Sequence, residues 1–348
     1  MRKLIQQFGG KITKELQNQY KESENWSDGK FKNLEVTTMD MGVKDIPKML
    51  YKQFTDKAKR QPETPIPIVP FDKEAFLKKD GTFKFIWYGH SVILMRMNGK
   101  TILIDPMLGP NASPIAPFKT KRFSENTLDL ITDFPEIDLL LISHDHYDHL
   151  DYDSILRLKE KTKQFYVALG VKRHLVKWGI EADKIKEFDW WNNANFADIE
   201  ITYTPTRHFS GRGITDREKS LWGGWVFKTE TESIWFSGDG GYGKHFKEIG
   251  EKLGPFDFGF MECGQYNEKW HAIHMYPEES VQAAKDAGVK KVMPVHWAGF
   301  ALAQHAWTEP VDEFAKSAVL NNLEAIYPQI GQLVDPKITQ ASTEWWKK

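Results

Sequence analysis

The segment Leu141-Ile-Ser-His-Asp-His-Tyr-Asp-His-Leu150 places three histidines and two aspartates directly behind an apolar run. Nitrogen and carboxylate donors this close together suit metal binding. In an extended turn His144 and His146, two residues apart, point the same way, while Asp148 and His149 lie farther along and can face a second ion. Chance assembly of His-x-His-x-Asp-His in a chain of this length is on the order of one in a thousand from average composition. Two metals need more donors, and three stand behind strand-like segments: His208 after Ile199 to Pro205, Asp239 after Trp235-Phe-Ser-Gly238, and His296 after Val292 to Val295. One such histidine would ordinarily be a hydrogen-bonded structural residue. Its recurrence beside the first motif reverses that preference. Asp239 is the natural bridge, because a carboxylate can give one oxygen to each ion. A donor set without thiolate suits two zinc ions, with iron or manganese as the alternatives.

Positioning these donors requires strands that end at one edge. Strands are expected at residues 83–88, 91–95, 101–104, 137–142, 199–203, 222–228, 233–236, 257–261 and 291–295, with Asn98-Gly99 as a hairpin turn. Asp151 or Asp153 caps a helix carrying Ile155 and Leu158, and Pro277-Glu-Glu opens another. A β-rich first half followed by alternating strand and helix implies a layered α/β domain. Before it, Gln61-Pro-Glu-Thr-Pro-Ile-Pro-Ile-Val-Pro70 reads as an extended strap. Ile46, Met49, Leu50 and Phe54 recur at helical spacing among lysines, the pattern of a short basic amphipathic helix that packs on its own domain or touches lipid.

The 348 residues are 41% hydrophobic, enough for a substantial core. Lys plus Arg number 47 against 48 for Asp plus Glu, a balance that offers nucleic acid no basic track. Cys263 is the single cysteine, excluding an internal disulfide or a thiolate cluster, and reads as a small core residue. With no apolar signal core at the start and no membrane-spanning run, the expected location is the cytoplasm, with peripheral membrane contact.

Trp87-Tyr-Gly-His90, Asp105-Pro106, the 143–154 segment, Asp189-Trp-Trp191, Thr204-Pro-Thr-Arg-His208, Leu221-Trp-Gly-Gly-Trp225, Gly238-Asp-Gly-Gly-Tyr242 and His296-Trp297 together resemble the metallo-β-lactamase superfamily. Within it they are similar to the N-acylphosphatidylethanolamine-hydrolysing phospholipase D enzymes and their bacterial relatives. The resemblance covers most of residues 65–330. It implies a four-layer αβ/βα sandwich, with residues 65–348 as the hydrolase domain and 1–64 as an N-terminal extension without an assigned role. It also implies His144, His146 and His208 on one zinc, Asp148, His149 and His296 on the other, and Asp239 on both.

The chemistry implied is phosphodiester hydrolysis of an N-acylated phospholipid by a metal-bridging hydroxide, since paired ions bring the pKa of bound water towards about 7. Asp148 and Asp239 serve catalysis through the metals. His274 matches a family histidine that could protonate the leaving oxygen or bind a phosphate oxygen. Trp190 and Trp191 correspond to a family pair and are candidates for substrate contact. Tyr266, Gln265 and His271 are weaker candidates, and His90 reads as structural or as an orienting partner, a purpose Asp105 could also serve. The runner-up substrate is a soluble phosphorylated lactone or ester, as in ascorbate-6-phosphate lactonase relatives. A ribonuclease is disfavoured by the charge balance, and a flavin-associated di-iron oxidoreductase by His146, where that branch carries Glu. A non-catalytic relative would be expected to have lost ligands. The sequence does not specify an oligomeric state.

Overall fold

Apolar runs from residue 84 onward assemble into two seven-stranded sheets. The computed structural model describes residues 2–39, 51, 58–78, 81–113, 120–213, 215–338 and 344–347. A small ribbon comes first, β1 (Trp26–Ser27) with β2 (Lys30–Phe31). One sheet contains β3 (Lys84–Trp87), β4 (Ile93–Met97), β5 (Lys100–Ile104), β6 (Ile137–Ile142), β7 (Thr162–Ala168) and β8 (Ile185–Phe188). The other contains β9 (Asn193–Phe196), β10 (Ile199–Pro205), β11 (Gly223–Lys228), β12 (Ser233–Phe236), β13 (Phe258–Glu262), β14 (Lys291–Val295) and β15 (Glu324–Ala325). A last strand, β16 (Leu333–Val334), returns to pair with β3.

Both sheets begin antiparallel and end parallel. Pairing is antiparallel from β3 to β5 and parallel from β5 to β8, and likewise antiparallel from β9 to β12 and parallel from β12 to β15. This corrects the expected division into a β-rich first half and an alternating second half. A parallel pair needs a crossover, and each parallel step here contains a helix: Leu130–Asp133, Tyr152–Leu158 and Lys172–Lys177 in the first sheet, His245–Leu253, Pro277–Asp286 and Glu309–Leu320 in the second. The helices flank the paired sheets, giving the αβ/βα sandwich.

Local chemistry explains the boundaries. Strands β6, β12 and β14 have the bounds expected from sequence. In the β4–β5 hairpin Asn98 and Gly99 have φ of +45° and +71°, the left-handed pair that a tight turn requires. The Oδ2 of Asp151 accepts from Ser154 N at 2.8 Å and caps its helix. The proline-rich strap is held by single bonds, Ile66 N to Phe123 O and Val69 N to Ile330 O. Ile46, Met49, Leu50 and Phe54 lie outside the described residues. None of the described helices is long and apolar enough to cross a membrane.

Aromatic rings lock the sheets face to face. Phe85 on β3 lies 5.3 Å from Phe258 and 4.8 Å from Phe260 on β13, and Phe188 on β8 lies 5.2 Å from Trp225 on β11. Ahead of the sheets, Tyr20, Trp26 and Phe31 pack together with ring separations of 4.8–5.6 Å and are continuous with the main core.

Because Phe85 is fully buried at the sheet interface, Phe85→Ala is expected to cost about 3–5 kcal/mol through lost transfer energy and a residual cavity. Guanidinium unfolding of metal-free protein measures it. A cost below about 1 kcal/mol would mean that this contact does not hold the two sheets together.

Candidate metal centre

Strand ends from both sheets meet at one edge. His90 follows β3, Asp105 follows β5, and the His144–His149 turn follows β6, while His208, Asp239 and His296 follow β10, β12 and β14. All seven expected ligands converge there, and His90 joins them. His144, His149, His208, Asp239 and His296 are buried, whereas His146 and Asp148 form the more open lip.

Two donor groups result. His146 Nδ1 lies 2.9 Å from His144 Nε2 and 3.2 Å from His208 Nε2. Alongside, donor atoms of His90, Asp148, His149 and His296 lie within 4.8 Å of one another. Asp239 stands between the groups: its Oδ2 is 3.0 Å from His149 Nε2 and 2.9 Å from His296 Nε2, and the residue also clusters with His144 and with His208 and His274.

A cation fits this arrangement better than protons do. His208 Nδ1 donates to Ile273 O at 3.0 Å, leaving a lone pair on the Nε2 that faces the cluster. His146 Nδ1 carries at most one hydrogen, so it cannot satisfy both of its imidazole neighbours. Ligands about 2.0–2.1 Å from one zinc ion in a tetrahedron stand roughly 3.3 Å apart, close to the separations found here.

Outer partners hold the rings in place. His149 Nδ1 donates to Asp105 Oδ2 at 2.7 Å, while that carboxylate accepts from Ser143 N at 2.7 Å and Ser143 Oγ at 2.6 Å. His90 Nε2 donates to Asp148 Oδ2 at 2.9 Å, and burial lowers its pKa to about 3, so it is neutral. His90, Asp105 and His296 have φ of +55°, +43° and +67°. Non-glycine residues in that region store about 1–3 kcal/mol each, strain the surrounding bonds must hold.

His274 stands over the junction, its ring 5.0 Å from that of His208 and stacked 5.2 Å from that of His296. Its Nδ1 is 2.5 Å from Oε1 of Glu262, a fully buried carboxyl whose pKa is raised by burial. Sequence reasoning missed Glu262. The available signal was an acid closing the apolar run Phe258-Gly-Phe-Met-Glu262, a position where a charge is costly without a partner.

The candidate substrate contacts are engaged within the protein. Trp190 is buried and donates through Nε1 to Trp222 O at 2.6 Å. Trp191 is half-buried under the Lys252 ammonium. The side chain of Gln265 is spent on backbone, donating to Phe300 O and accepting from Leu302 N and Ala303 N. Tyr266 donates to Glu309 Oε1 at 2.7 Å, and His271 turns outward to Glu279. In this structure these groups support loops. Cys263 is buried, as expected of a core residue.

Three comparisons bear on this geometry. A family described as "Beta-lactamase superfamily domain" matches residues 100–297. A Mycobacterium tuberculosis protein described as uncharacterized is 34% identical over 94% of this chain and 88% of its own length. The Caenorhabditis elegans N-acyl-phosphatidylethanolamine-hydrolyzing phospholipase D 1 is 31% identical over 72% of this chain and 74% of its own. Among solved structures, Igni18, a metallo hydrolase from Ignicoccus hospitalis, superposes with a TM-score of 0.58 at 21% identity, covering 73% of this chain and 97% of its own.

Metal loading should depend on pH. Burial opposes charge on His149 and His296, yet neighbouring carboxylates, Asp239 foremost, raise the first well above its ordinary value and the second to about 10. Without metal the neighbouring carboxylates favour the protonated form of both rings, and a metal must displace those protons. Apparent zinc affinity should therefore rise with pH between about 6 and 8, approaching a hundredfold per unit if both protons leave. Competition with a chromogenic chelator in two buffers of different ionisation enthalpy would measure affinity and proton release. Flat affinity with no proton release would contradict this charge balance.

Proposed function

The chain belongs to the metallo-β-lactamase superfamily and is a metal-dependent hydrolase, and we propose that it is a phospholipase D-type phosphodiesterase cleaving N-acylphosphatidylethanolamine-type lipids into an N-acylethanolamine and phosphatidic acid. The observation carrying the substrate assignment is kinship with the C. elegans phospholipase over nearly three quarters of each chain. In this reading His144, His146 and His208 hold one zinc, Asp148, His149 and His296 the other, and Asp239 both. When bound, the metals supply Lewis acidity and make water a nucleophile at neutral pH.

The protein's own groups do the rest. Asp239 draws the two donor sets together, and His90 and Asp105 orient Asp148 and His149. With Nδ1 of His274 against Glu262, its Nε2 is left to face substrate. As water oxygen bonds to phosphorus and the P–O bond to the ethanolamide breaks, His274 passes its proton to the departing oxygen and recovers one from the attacking water. Glu262 holds the imidazole in the required orientation throughout.

Asp239→Asn is expected to lose metal. His274→Ala should retain metal while turnover falls by about 10²–10⁴. Elemental analysis beside turnover of N-acylphosphatidylethanolamine in mixed micelles distinguishes the two roles. Wild-type protein that ignores this lipid but hydrolyses a soluble phosphorylated lactone or ester would replace the assigned substrate.

A lipid substrate also requires docking, which we assign to Met49, Leu50 and Phe54. Large apolar side chains contribute about 1.5–3 kcal/mol each on burial, and adjacent lysines about 1 kcal/mol each on an anionic surface. Leu50→Asp/Phe54→Asp should weaken salt-sensitive sedimentation with phosphatidylserine vesicles and leave hydrolysis of a soluble diester unchanged. Equal vesicle binding by wild type and variant would remove this segment from the docking surface.

A further inference from the structure

We infer that residues 6–10 and 33–37 form a clamp that completes the three-histidine metal site, with Asn33 as its positioning residue. This rests on the two-metal reading of the centre and is independent of the substrate assigned.

Asn33 grips both sides of one ligand's backbone. Its Oδ1 accepts from His208 N at 3.1 Å and its Nδ2 donates to His208 O at 2.7 Å. The same Oδ1 accepts from Trp222 Nε1 at 3.0 Å, fixing the amide's orientation. With His208 Nδ1 bonded to Ile273 O, His208 is restrained at main chain and ring alike. Next to it Arg207 donates from Nη2 to Val36 O at 2.8 Å and from Nε to Thr37 Oγ1 at 3.1 Å.

Residues 6–10 act on the same two loops from their other side. Gln7 O accepts from Nε and Nη2 of Arg212, whose Nη1 donates to Asp145 O at 2.7 Å and Leu150 O at 2.6 Å. One buried guanidinium thus joins the clamp to both ends of the turn bearing His146. Gly10 N donates to His174 Nδ1 at 3.0 Å, which leaves Nε2 to donate to Asp145 Oδ2 at 3.2 Å. Asp145 also accepts from Gly211 N at 2.7 Å and Ser220 Oγ at 2.6 Å. Asp145 therefore ties the His144–His146 turn to the loop behind His208 instead of serving as a ligand.

The close approach has a visible sequence requirement. Gly9 has φ of +72°, and a Cβ there would lie 1.9 Å from His174 Nδ1; one on Gly10 would lie 2.1 Å from Arg173 O. The Gly9-Gly10 pair lets the chain reach this buried network. Hydrogen bonds from 6–10 and 33–37 reach the loops carrying His144, His146 and His208; the one bond to the loop after Asp239, Lys244 N to Glu35 Oε2 at 3.3 Å, lies five residues beyond that ligand. Arg212 braces a turn that carries ligands of both sets, whereas Asn33 bonds the backbone of His208 and of no other candidate ligand, so it is Asn33 that orders the three-histidine set more than the other.

The decisive measurement is stepwise metal binding by the full-length protein, using zinc against a chelator and cobalt for its ligand-field spectrum. Asn33→Ala should weaken one of two equivalents by roughly 10–100-fold, the usual effect of removing a partner that orients a ligand. Activity should return at saturating zinc, and the cobalt spectrum should lose the component that His208→Ala abolishes. Asn33→Asp keeps the acceptor but loses the donor to His208 O, so it should be intermediate. It also serves if the alanine variant folds poorly. Adding Asn33→Ala to His208→Ala should leave the remaining site's affinity unchanged, and Glu22→Ala, exposed and outside the clamp, should match wild type. Unchanged affinity of both equivalents in Asn33→Ala, or equal weakening of both, overturns the inference. Neither result depends on which ester is cleaved.

Discussion

Three aspartates, Asp105, Asp148 and Asp239, lie beside six histidines, His90, His144, His146, His149, His208 and His296, at the edge where two sheets meet, and neutralising that charge is the constraint the structure is organised around. Asp105 and Asp239 are almost fully buried. Isolated carboxylates in such surroundings would cost several kcal/mol each. Without metal the compensation falls to His149 and His296, whose raised pKa values are the counterpart of the lowered ones at Asp148 and Asp239. Metal ions perform the same neutralisation with more charge and firmer geometry. The site is thus prepared for cations by its acids as much as by its imidazoles.

Rigid strands deliver the donors, but short irregular turns aim them. Parallel β5 and β6, and β12 to β14, end on the same edge, which brings side chains distant in sequence to one place. Left-handed backbone at His90, Asp105 and His296 then turns the side chains inward. Such conformations persist only when several bonds oppose relaxation. His90 shows how: its N donates to Trp297 O at 2.8 Å and its O accepts from His296 N at 2.9 Å and Trp87 Nε1 at 2.8 Å. A positioning residue and a metal-ligand candidate from opposite sheets brace each other's strained backbone.

The donors were legible because histidine and aspartate behind apolar runs form an improbable pattern, and β6, β12 and β14 were legible because their apolar runs stop where turns begin. Strand β7 was not. Thr162-Lys-Gln opens it with polar residues, and only Phe165 to Ala168 resemble a buried strand. Glu262 and Asn33 escaped for another reason. A lone Glu or Asn has no local signature, and its role exists only once the fold brings it to His274 or His208. Trp190 and Trp191 illustrate the reverse limit, since a resemblance assigns residue types to a neighbourhood without fixing which way the side chains turn. Trp190 spends its indole hydrogen on Trp222 O, supporting the indole that in turn bonds Asn33.

The superfamily match spans residues 100–297, yet His90 and Asn33 lie outside it and bond directly to Asp148 and His208. The matched region supplies every expected ligand. What it does not supply is the full restraint on their orientation. A metal centre of nitrogen and carboxylate donors polarises many esters, so ligand identity alone selects little. Selectivity must then come from how rigidly the ligands are held and from loops that limit approach. In this chain the first of these reaches back to residue 6, through carbonyls and amides that carry no recognisable motif. The described residues before β3 consequently brace the loops that carry candidate metal ligands, although none of them belongs to a donor group.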